Sequence, residues 1–494
     1  MSLVGVDLGT SGIRAAAVDT AGRPLASVGR RTGLRHGPPG IVETDAEECL
    51  RVVTSLLAEL TNHEAVIADP VEAVSFSVQG EAVLPVDADG YALAPAPVSM
   101  DRRGTSAAAR MAELVGPGEV HRRTGQPLHP MFSIYKIAAG SGVWRSSAVR
   151  GYRCLGDYVA ARLGARPAID TTMAARTGAL EVADRQWSSP LLAALGIPLA
   201  TLPEVVPPGT VIGKVSAEAA AGTGLRAGVP LVVGSHDQAS SFWGAGGRVG
   251  SVSVLSLGSS ECLTVGSVGR PAGLEGTGLA SYPVTGDDWL TLAGTAAGGW
   301  MLDWFADLVR SGTPTERDAL FDAAAAEPPE LVVLPYFAGS GTVDNDPLAR
   351  GAVTGLTLDT TREQVARAFL ESSAFELRKI VDTLADLGLP VGELHVAGGG
   401  VRSRRVMAIR ASAARLPLRP VPGHAAARGA ALQAGVGIGQ FASLADLPPP
   451  VAGPVAEPDP RTTGWYAEQA RRYRALYVAL SAHDRSYHDP REIP

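Results

Sequence analysis

Leu3-Val4-Gly5-Val6-Asp7-Leu8-Gly9-Thr10-Ser11 opens the chain, and Val252-Ser253-Val254-Leu255-Ser256-Leu257-Gly258-Ser259-Ser260 repeats its plan near the middle. In each copy an apolar run that reads as a β-strand stops at a glycine able to take positive φ. Hydroxyl side chains and free backbone N–H groups follow, the make-up of a tight turn that cradles phosphate. The chain therefore reads as two related halves gripping one phosphate chain. Asp7 in the first copy is replaced by Ser256 in the second, so only the first turn offers a carboxylate to a metal.

Working outward, 494 residues exceed what one hydrophobic core usually organises, and two domains of roughly 250 residues are expected. An aromatic content of 5% suits closely packed α/β layers better than an aromatic-rich sandwich. A net charge of −7 without a long basic run argues against nucleic acid, so a small-molecule partner is expected. Cys49, Cys154 and Cys262 are far apart and lack C-x-x-C spacing, which suggests neither a disulfide framework nor a zinc site. The chain starts on a strand without a charged and apolar leader, and no apolar run approaches about 20 residues. These features lead us to expect a cytoplasmic protein with no membrane association.

Leu3 to Val18, a turn at 21–24 and Leu25 to Val28 read as a meander of short antiparallel strands. Thr44 with Glu47 predicts a capping box for an amphipathic helix ending near Asn62. A strand at 73–78 then delivers Gln79-Gly80-Glu81 to the carboxyl edge of a sheet, where α/β folds place ligands. The competing reading of Glu81 is a solvated loop acid. Asp101-Arg102-Arg103 follows another short run, and a largely helical middle is expected to about Leu195. A buried strand at 230–234 ends in Ser235-His236-Asp237-Gln238 and leads into a helix of small residues at 239–247.

The second half repeats the programme, with a strand and Gly-Ser-Ser turn at 252–260, strands at 289–292 and 331–334 and a helix at 299–309. A long helix after Thr360-Thr361-Arg362-Glu363 runs through Leu387, and a strand at 394–397 enters Gly398-Gly399-Gly400 before Ser403 opens another helix. Glycines between a strand and a helix N-terminus let a ligand approach the backbone. A glycine triplet alone is often a plain turn; its weight comes from being the third glycine turn at a strand end.

Taken in order, these segments resemble the carbohydrate kinases of the FGGY family, built on the actin, hexokinase and Hsp70 type of ATPase fold. The resemblance covers the chain to about Gly439. It rests on Gly5-Val6-Asp7-Leu8-Gly9-Thr10-Ser11 with Arg14, Gly234-Ser235-His236-Asp237-Gln238, Leu257-Gly258-Ser259-Ser260 and Ala397-Gly398-Gly399-Gly400-Val401-Arg402-Ser403. Pro130-Met131-Phe132-Ser133 with Lys136-Ile137, and Gly351-Ala352-Val353-Thr354-Gly355-Leu356 with Gln364, Ala368 and Glu371, are similar to the family's two signatures, although Ala139 stands where the family usually has Trp.

The resemblance implies an α/β protein of two ribonuclease-H-like (actin-like ATPase) domains with a central cleft. The implied division is 1–247 for sugar and base, 248–440 for nucleotide, and 441–494 as a Pro-rich segment and helix. It implies ATP and Mg²⁺ as cofactors, with Asp7 toward the metal. Gly9, Thr10, Ser11 and Arg14 would face the β- and γ-phosphates, and Gly258, Ser259 and Ser260 would form the opposing turn. Gly299, Gly399, Gly400 and Ser403 would line the adenosine pocket, with Arg404 a further candidate. Asp237 corresponds to the catalytic base; its competing reading is a helix N-cap. A carboxylate suits the task, because phosphoryl transfer to an alcohol needs the hydroxyl proton accepted as the new bond forms.

Acceptor recognition would fall to Gln79, Glu81, Asp101, Arg103, Asp237 and Gln238. Within the family, glycerol kinases usually carry Gln-Arg-Glu and xylulose kinases Gln-Met-His where this chain has Gln79-Gly80-Glu81, so neither pattern is met. Ser99 replaces a usual Trp, which opens the pocket. His236 is expected to pack beside the site, Lys136 to be structural or interfacial, and Trp300 and Trp304 to lie in the core. A ketose or polyol kinase is the leading expectation, with a homodimer among the open arrangements. A non-catalytic nucleotide-binding relative on the same fold is the alternative, since fold alone does not fix function.

Overall fold

A computed structural model describes residues 1–295, 297–309, 314–337, 339–346 and 348–487. Its two main sheets show why the opening repeat matters. In the first, the strands run in the order Val211–Lys214, Pro230–Val232, Val71–Val78, Ser2–Leu8, Gly12–Asp19, Pro24–Arg31, with Ser235–His236 also pairing to Val71–Val78. In the second, the order is Ala280–Pro283, Asp288–Thr295, Glu261–Val268, Val252–Leu257, Glu393–Gly398, Leu418–Val421.

Both copies of the repeat occupy the same place in their sheets. Each is flanked on one side by an antiparallel hairpin partner and on the other by a parallel strand. The hairpins differ in one respect: Leu8 pairs with Ile13, but Leu257 pairs with Glu261, so the second turn is one residue tighter. Ser2–Leu8 is buried almost throughout, as expected of a strand covered on both faces.

The helix Ala425–Gly437 belongs to the second half in sequence yet lies against the first sheet. Ala431, Leu432 and Ala434 share a core with Val4 and Val74, and a Cβ at Gly5 would stand 1.9 Å from the Ala427 carbonyl oxygen. That helix and the helix Asp237–Gly244 cross at a pair of glycines, where a Cβ on Gly244 would lie 1.8 Å from the Ala425 oxygen and one on Gly429 1.8 Å from the Ser240 oxygen. Such contact requires residues without side chains at the crossing.

Several local expectations need correction. Asp45, not Thr44, caps the helix Ala46–Thr61, accepting from the N–H groups of Glu47 and Glu48. Thr44 is buried, with its hydroxyl 3.5 Å from Cys49 Sγ. The middle is mixed rather than largely helical, with strands Gly151–Cys154, Ala168–Asp170, Leu180–Glu181 and Gln186–Trp187 interrupting it. Trp300 and Trp304 are 46% and 45% exposed because the helix Gly299–Leu308 turns them outward, leaving Met301 and Phe305 to the core. By contrast, the long helix Arg362–Asp386 begins at the Thr361–Gln364 capping box.

The C-terminal helix Thr463–Tyr487 packs on the second half through buried tyrosines. Tyr473 donates to Glu376 Oε1 at 2.6 Å and Tyr466 to Glu371 Oε1 at 2.6 Å. Arg367 also binds Glu371 at 2.7 Å. These bonds give each carboxylate partners on Oε1, where burial without any would be costly, while Glu371 Oε2 is buried without one.

Candidate active site

The strand ends of the first sheet converge where its parallel strands stop. Asp7 is the register partner of Arg14 across the hairpin and of Ser77 on the parallel strand. Ser77 Oγ donates to Asp7 Oδ1 at 2.8 Å. Burial raises the affinity of Asp7 for its proton, against the pull of Ser77 and Arg14. The turn that follows closes with Gly9 N–H to the Gly12 oxygen at 3.1 Å, and Thr10 Oγ1 donates to Gln79 Oε1 at 3.1 Å. Gln79 thus braces the first phosphate-type turn rather than standing free, while Ser11 is exposed.

Glu81 occupies positive φ (+69°), a costly conformation for a residue with a side chain. Ser133 Oγ and Lys136 Nζ hold it there, donating to its carbonyl at 3.0 and 3.1 Å. Lys136 also donates to the Val98 oxygen at 2.6 Å, so this buried amine ties together the two segments expected to meet the acceptor. Its ammonium is depressed to about 8 by burial, with Glu81 and Asp101 opposing that loss. The expectation of a structural Lys136 matches this clamp.

The Glu81 carboxylate is paired with Arg176, whose Nε donates to Oε1 at 2.6 Å and whose Nη1 donates to Gln126 Oε1 at 2.8 Å. The sequence reading missed Arg176. It follows the short helix Thr171–Ala175, far from any glycine turn, and only the tertiary fold brings it to Glu81.

Asp101 and Arg103 lie differently from expectation. Asp101 accepts from the Val42 N–H at 2.9 Å, the Arg103 N–H at 3.0 Å and the Arg103 guanidinium at 2.8 and 2.9 Å. Arg103 also pairs with Glu43. The Asp101 carboxylate is spent on holding its own loop, whereas the bonds of Arg103 use only Nε and Nη2 and leave Nη1 with capacity to donate to a ligand.

Asp237 is the first residue of its helix, the N-cap position being held by His236, which makes no side-chain capping bond. The N-cap reading of Asp237 therefore does not hold. Its side chain is 29% exposed, yet closely walled. Loss of hydration pushes its carboxyl up to about 7, helped by the charges of Asp7 and Glu81 and opposed by Arg176. Next to it, Gln238 Oε1 is buried without a hydrogen-bond partner, an acceptor left open for a ligand hydroxyl or N–H. His236 packs beside the site as expected, with Nε2 3.2 Å from Asp237 Oδ1.

The turn in the second half lines a cavity of about 380 Å³ that includes Gly258, Ser259, Gly299, Gly399, Gly400 and Ser403. Gly258 N–H bonds the Ser260 oxygen at 3.1 Å, and the helix Gly299–Leu308 starts against it, with Gly299 N–H to the Gly258 oxygen at 2.9 Å. Gly398 has φ +107°, and a Cβ there would meet the Leu257 oxygen at 2.2 Å. A Cβ on Gly399 would meet nothing within 4 Å, so its backbone borders open space. Ser403 caps the helix Arg404–Ala414 and donates to Asp322, which occupies the hydroxyl expected to face adenosine. Ser260 is exposed.

Two pseudo-equivalent turns, one with the carboxylates of Asp7 and Asp237 close by and the other opening a cavity of about 380 Å³, are arranged as in a two-lobed phosphotransferase. The N-terminal domain of the FGGY family of carbohydrate kinases matches residues 2–244, and the C-terminal domain of that family matches residues 253–438. The chain belongs to the FGGY family of carbohydrate kinases, ATP-dependent enzymes with an alcohol group as acceptor. A glycerol kinase from Rhodospirillum rubrum is 31% identical, the alignment spanning 90% of this chain and 92% of the relative. A xylulose kinase from the same species superposes with a TM-score of 0.87 at 28% identity, covering 98% of this chain and all of that one. A structure described as a xyloylose kinase, from Brucella ovis, gives 0.87 at 26% identity, with 98% and 100% covered. The fold is the two-domain actin-like ATPase fold. Nothing in these similarities supports the non-catalytic alternative.

Proposed function

We propose that the enzyme phosphorylates a small ketose or polyol, with Asp237 as the base and the acceptor held among Glu81, Asp237 and Gln238. The observation that carries this reading is the place of Asp237 at the start of its helix, beside the unpartnered Gln238 oxygen, where burial pushes its carboxyl up to about 7. A group of that affinity accepts a proton efficiently near neutral pH. In the step, the acceptor oxygen bonds the γ-phosphorus as the bridging P–O bond to ADP breaks, and the hydroxyl proton passes to Asp237. Alignment and charge neutralisation supply most of the acceleration.

Arg14 and the backbone of residues 9–11 are suited to the β- and γ-phosphates, and the turn 258–260 with Gly399 and Gly400 to the rest of the nucleotide. Asp7 suits Mg²⁺, which prefers one or two carboxylates with water and phosphate oxygens. Among the described residues no cluster of three or more His, Cys, Asp or Glu could cage a metal by itself. When bound, Mg²⁺ would neutralise charge on the phosphates. The unpaired cysteines fit a cytoplasmic enzyme.

Xylulose and glycerol are natural first acceptors, being substrates named for the similar proteins, although Gly80 departs from both patterns. Purified protein with Mg²⁺-ATP and a panel of ketoses, aldoses and polyols should release ADP with at least one acceptor. ADP release with none of them, from folded protein that binds ATP, would overturn the reading.

A further inference from the structure

His236 is buried between the two halves. Its Nδ1 lies 2.9 Å from the Tyr282 hydroxyl, and its Nε2 faces Asp237 Oδ1 at 3.2 Å. Tyr282 sits on the edge strand Ala280–Pro283 of the second sheet, whereas His236 and Asp237 belong to the first half.

That strand is itself docked across the lobes. Ser281 N–H bonds the Gly125 oxygen at 2.7 Å, and Thr171 Oγ1 bonds the Val284 oxygen at 3.3 Å. The His236 backbone is fixed as well, its N–H donating to Thr172 Oγ1 at 3.0 Å. Tyr282 is fully buried, and its ring meets the imidazole edge-on at 5.9 Å.

We propose that His236 and Tyr282 are positioning residues for Asp237, the tyrosine reaching from the second half to hold the imidazole against the catalytic carboxylate. This rests on the kinase reading of Asp237. The imidazole is neutral, since burial and the nearby Arg176 guanidinium depress its basicity, so one ring nitrogen carries a proton and the other a lone pair. A lone pair turned toward the ionised carboxylate of Asp237, the form that accepts the hydroxyl proton, would be repelled. The arrangement without conflict has Tyr282 donating to Nδ1 and the Nε2 proton facing the carboxylate.

Gly80 completes the device. A Cβ there would stand 3.1 Å from His236 Nε2 and 3.4 Å from Arg176 Nε, so a side chain at this position would crowd the imidazole on the edge that faces Asp237. The charged and titratable groups around the pair are Asp7, Glu81 and Arg176 toward Asp237, Arg176 toward His236, and Arg176, Cys262, Asp237 and Asp170 toward Tyr282.

The test compares wild type with Tyr282→Phe, which keeps the ring packing, and with Gly80→Ala, which presses on the imidazole without touching Tyr282. Each should lower kcat by about threefold to tenfold, the worth of one hydrogen bond, with KM for ATP unchanged. The acid limb of kcat/KM should move to higher pH, because the ionised carboxylate loses a donor. Wild-type kcat and profile in both variants would overturn the proposal. A second measurement is independent of turnover: ¹⁵N-histidine NMR, with His236→Gln used for assignment, should show the proton on Nε2. A proton on Nδ1 would overturn the proposal, and because this readout needs no acceptor, failure of the proposal is told apart from failure of the kinase reading, which the activity assay decides.

Discussion

Arg176 lies along the carboxylate of Glu81 in a buried ion pair, with side chains 10% and 4% exposed. The pair offsets part of the charge that Glu81 brings beside Asp237, where Arg176 opposes the rise that Asp7 and Glu81 cause. Removing one partner of a buried pair leaves an uncompensated charge, which typically costs about 3–5 kcal/mol. Arg176→Met should therefore shift the urea unfolding midpoint downward by that order, and Arg176→Met with Glu81→Gln should recover part of the loss. Equal destabilisation in single and double variants would show that the two side chains are not coupled.

The carboxyl of Asp237 supplies a pH signature. Only its ionised form accepts a proton, so kcat/KM should fall about tenfold per unit below about pH 7. Asp237→Asn should reduce kcat by about 10²- to 10⁴-fold while leaving ATP binding intact. Stability should move the other way. A group whose folded value is raised holds its proton more tightly when folded, so its contribution is fully present below the ordinary carboxylate range and is lost as pH rises through about 7. At about pH 8, Asp237→Asn should thus melt a few degrees above wild type, with the gap closing at about pH 4 in thermal scans.

Much of this was legible before the structure. The two glycine turns, the strands that feed them and Asp237 at a strand end are local patterns, because a strand, a turn and a helix start each leave a signature within ten residues or so. The Thr361–Gln364 capping box is of the same kind. What escaped is tertiary. Arg176 carries no motif, yet it meets Glu81 across 95 positions of sequence. The amphipathic pattern around Trp300 and Trp304 gives a helix but not which side of it faces the core. The sequence order also hides that the helix Ala425–Gly437 returns to cover the first sheet.

Asp101 separates acceptor recognition from loop support. Its carboxylate accepts from Val42 and Arg103, and hydrogen bonds to charged groups are worth about 1.5–3 kcal/mol each. Asp101→Asn should lower unfolding stability by about that amount for the set. The ratio of kcat/KM between two accepted sugars should remain as in wild type. A changed ratio with unchanged stability would return Asp101 to the acceptor site.

The crossing of Asp237–Gly244 with Ala425–Gly437 connects a distant position to the base. At Gly429 an added Cβ would lie 1.8 Å from the Ser240 oxygen and 3.0 Å from the Gly244 nitrogen, both backbone atoms that cannot rotate away. Gly429→Ala must separate the helices, and overpacking of this kind costs about 1–3 kcal/mol. Because Asp237 begins the helix that is pushed, the same change should displace its carboxylate from the acceptor hydroxyl, and small misplacements at a reacting centre cost as much as about 10²-fold in rate. The variant should combine a lowered melting temperature with a kcat reduced well beyond the fraction unfolded at the assay temperature, while nucleotide affinity, set in the cavity of the second half, stays near wild type. A kcat that merely follows the folded fraction would mean that the crossing supports the fold without setting the position of the base.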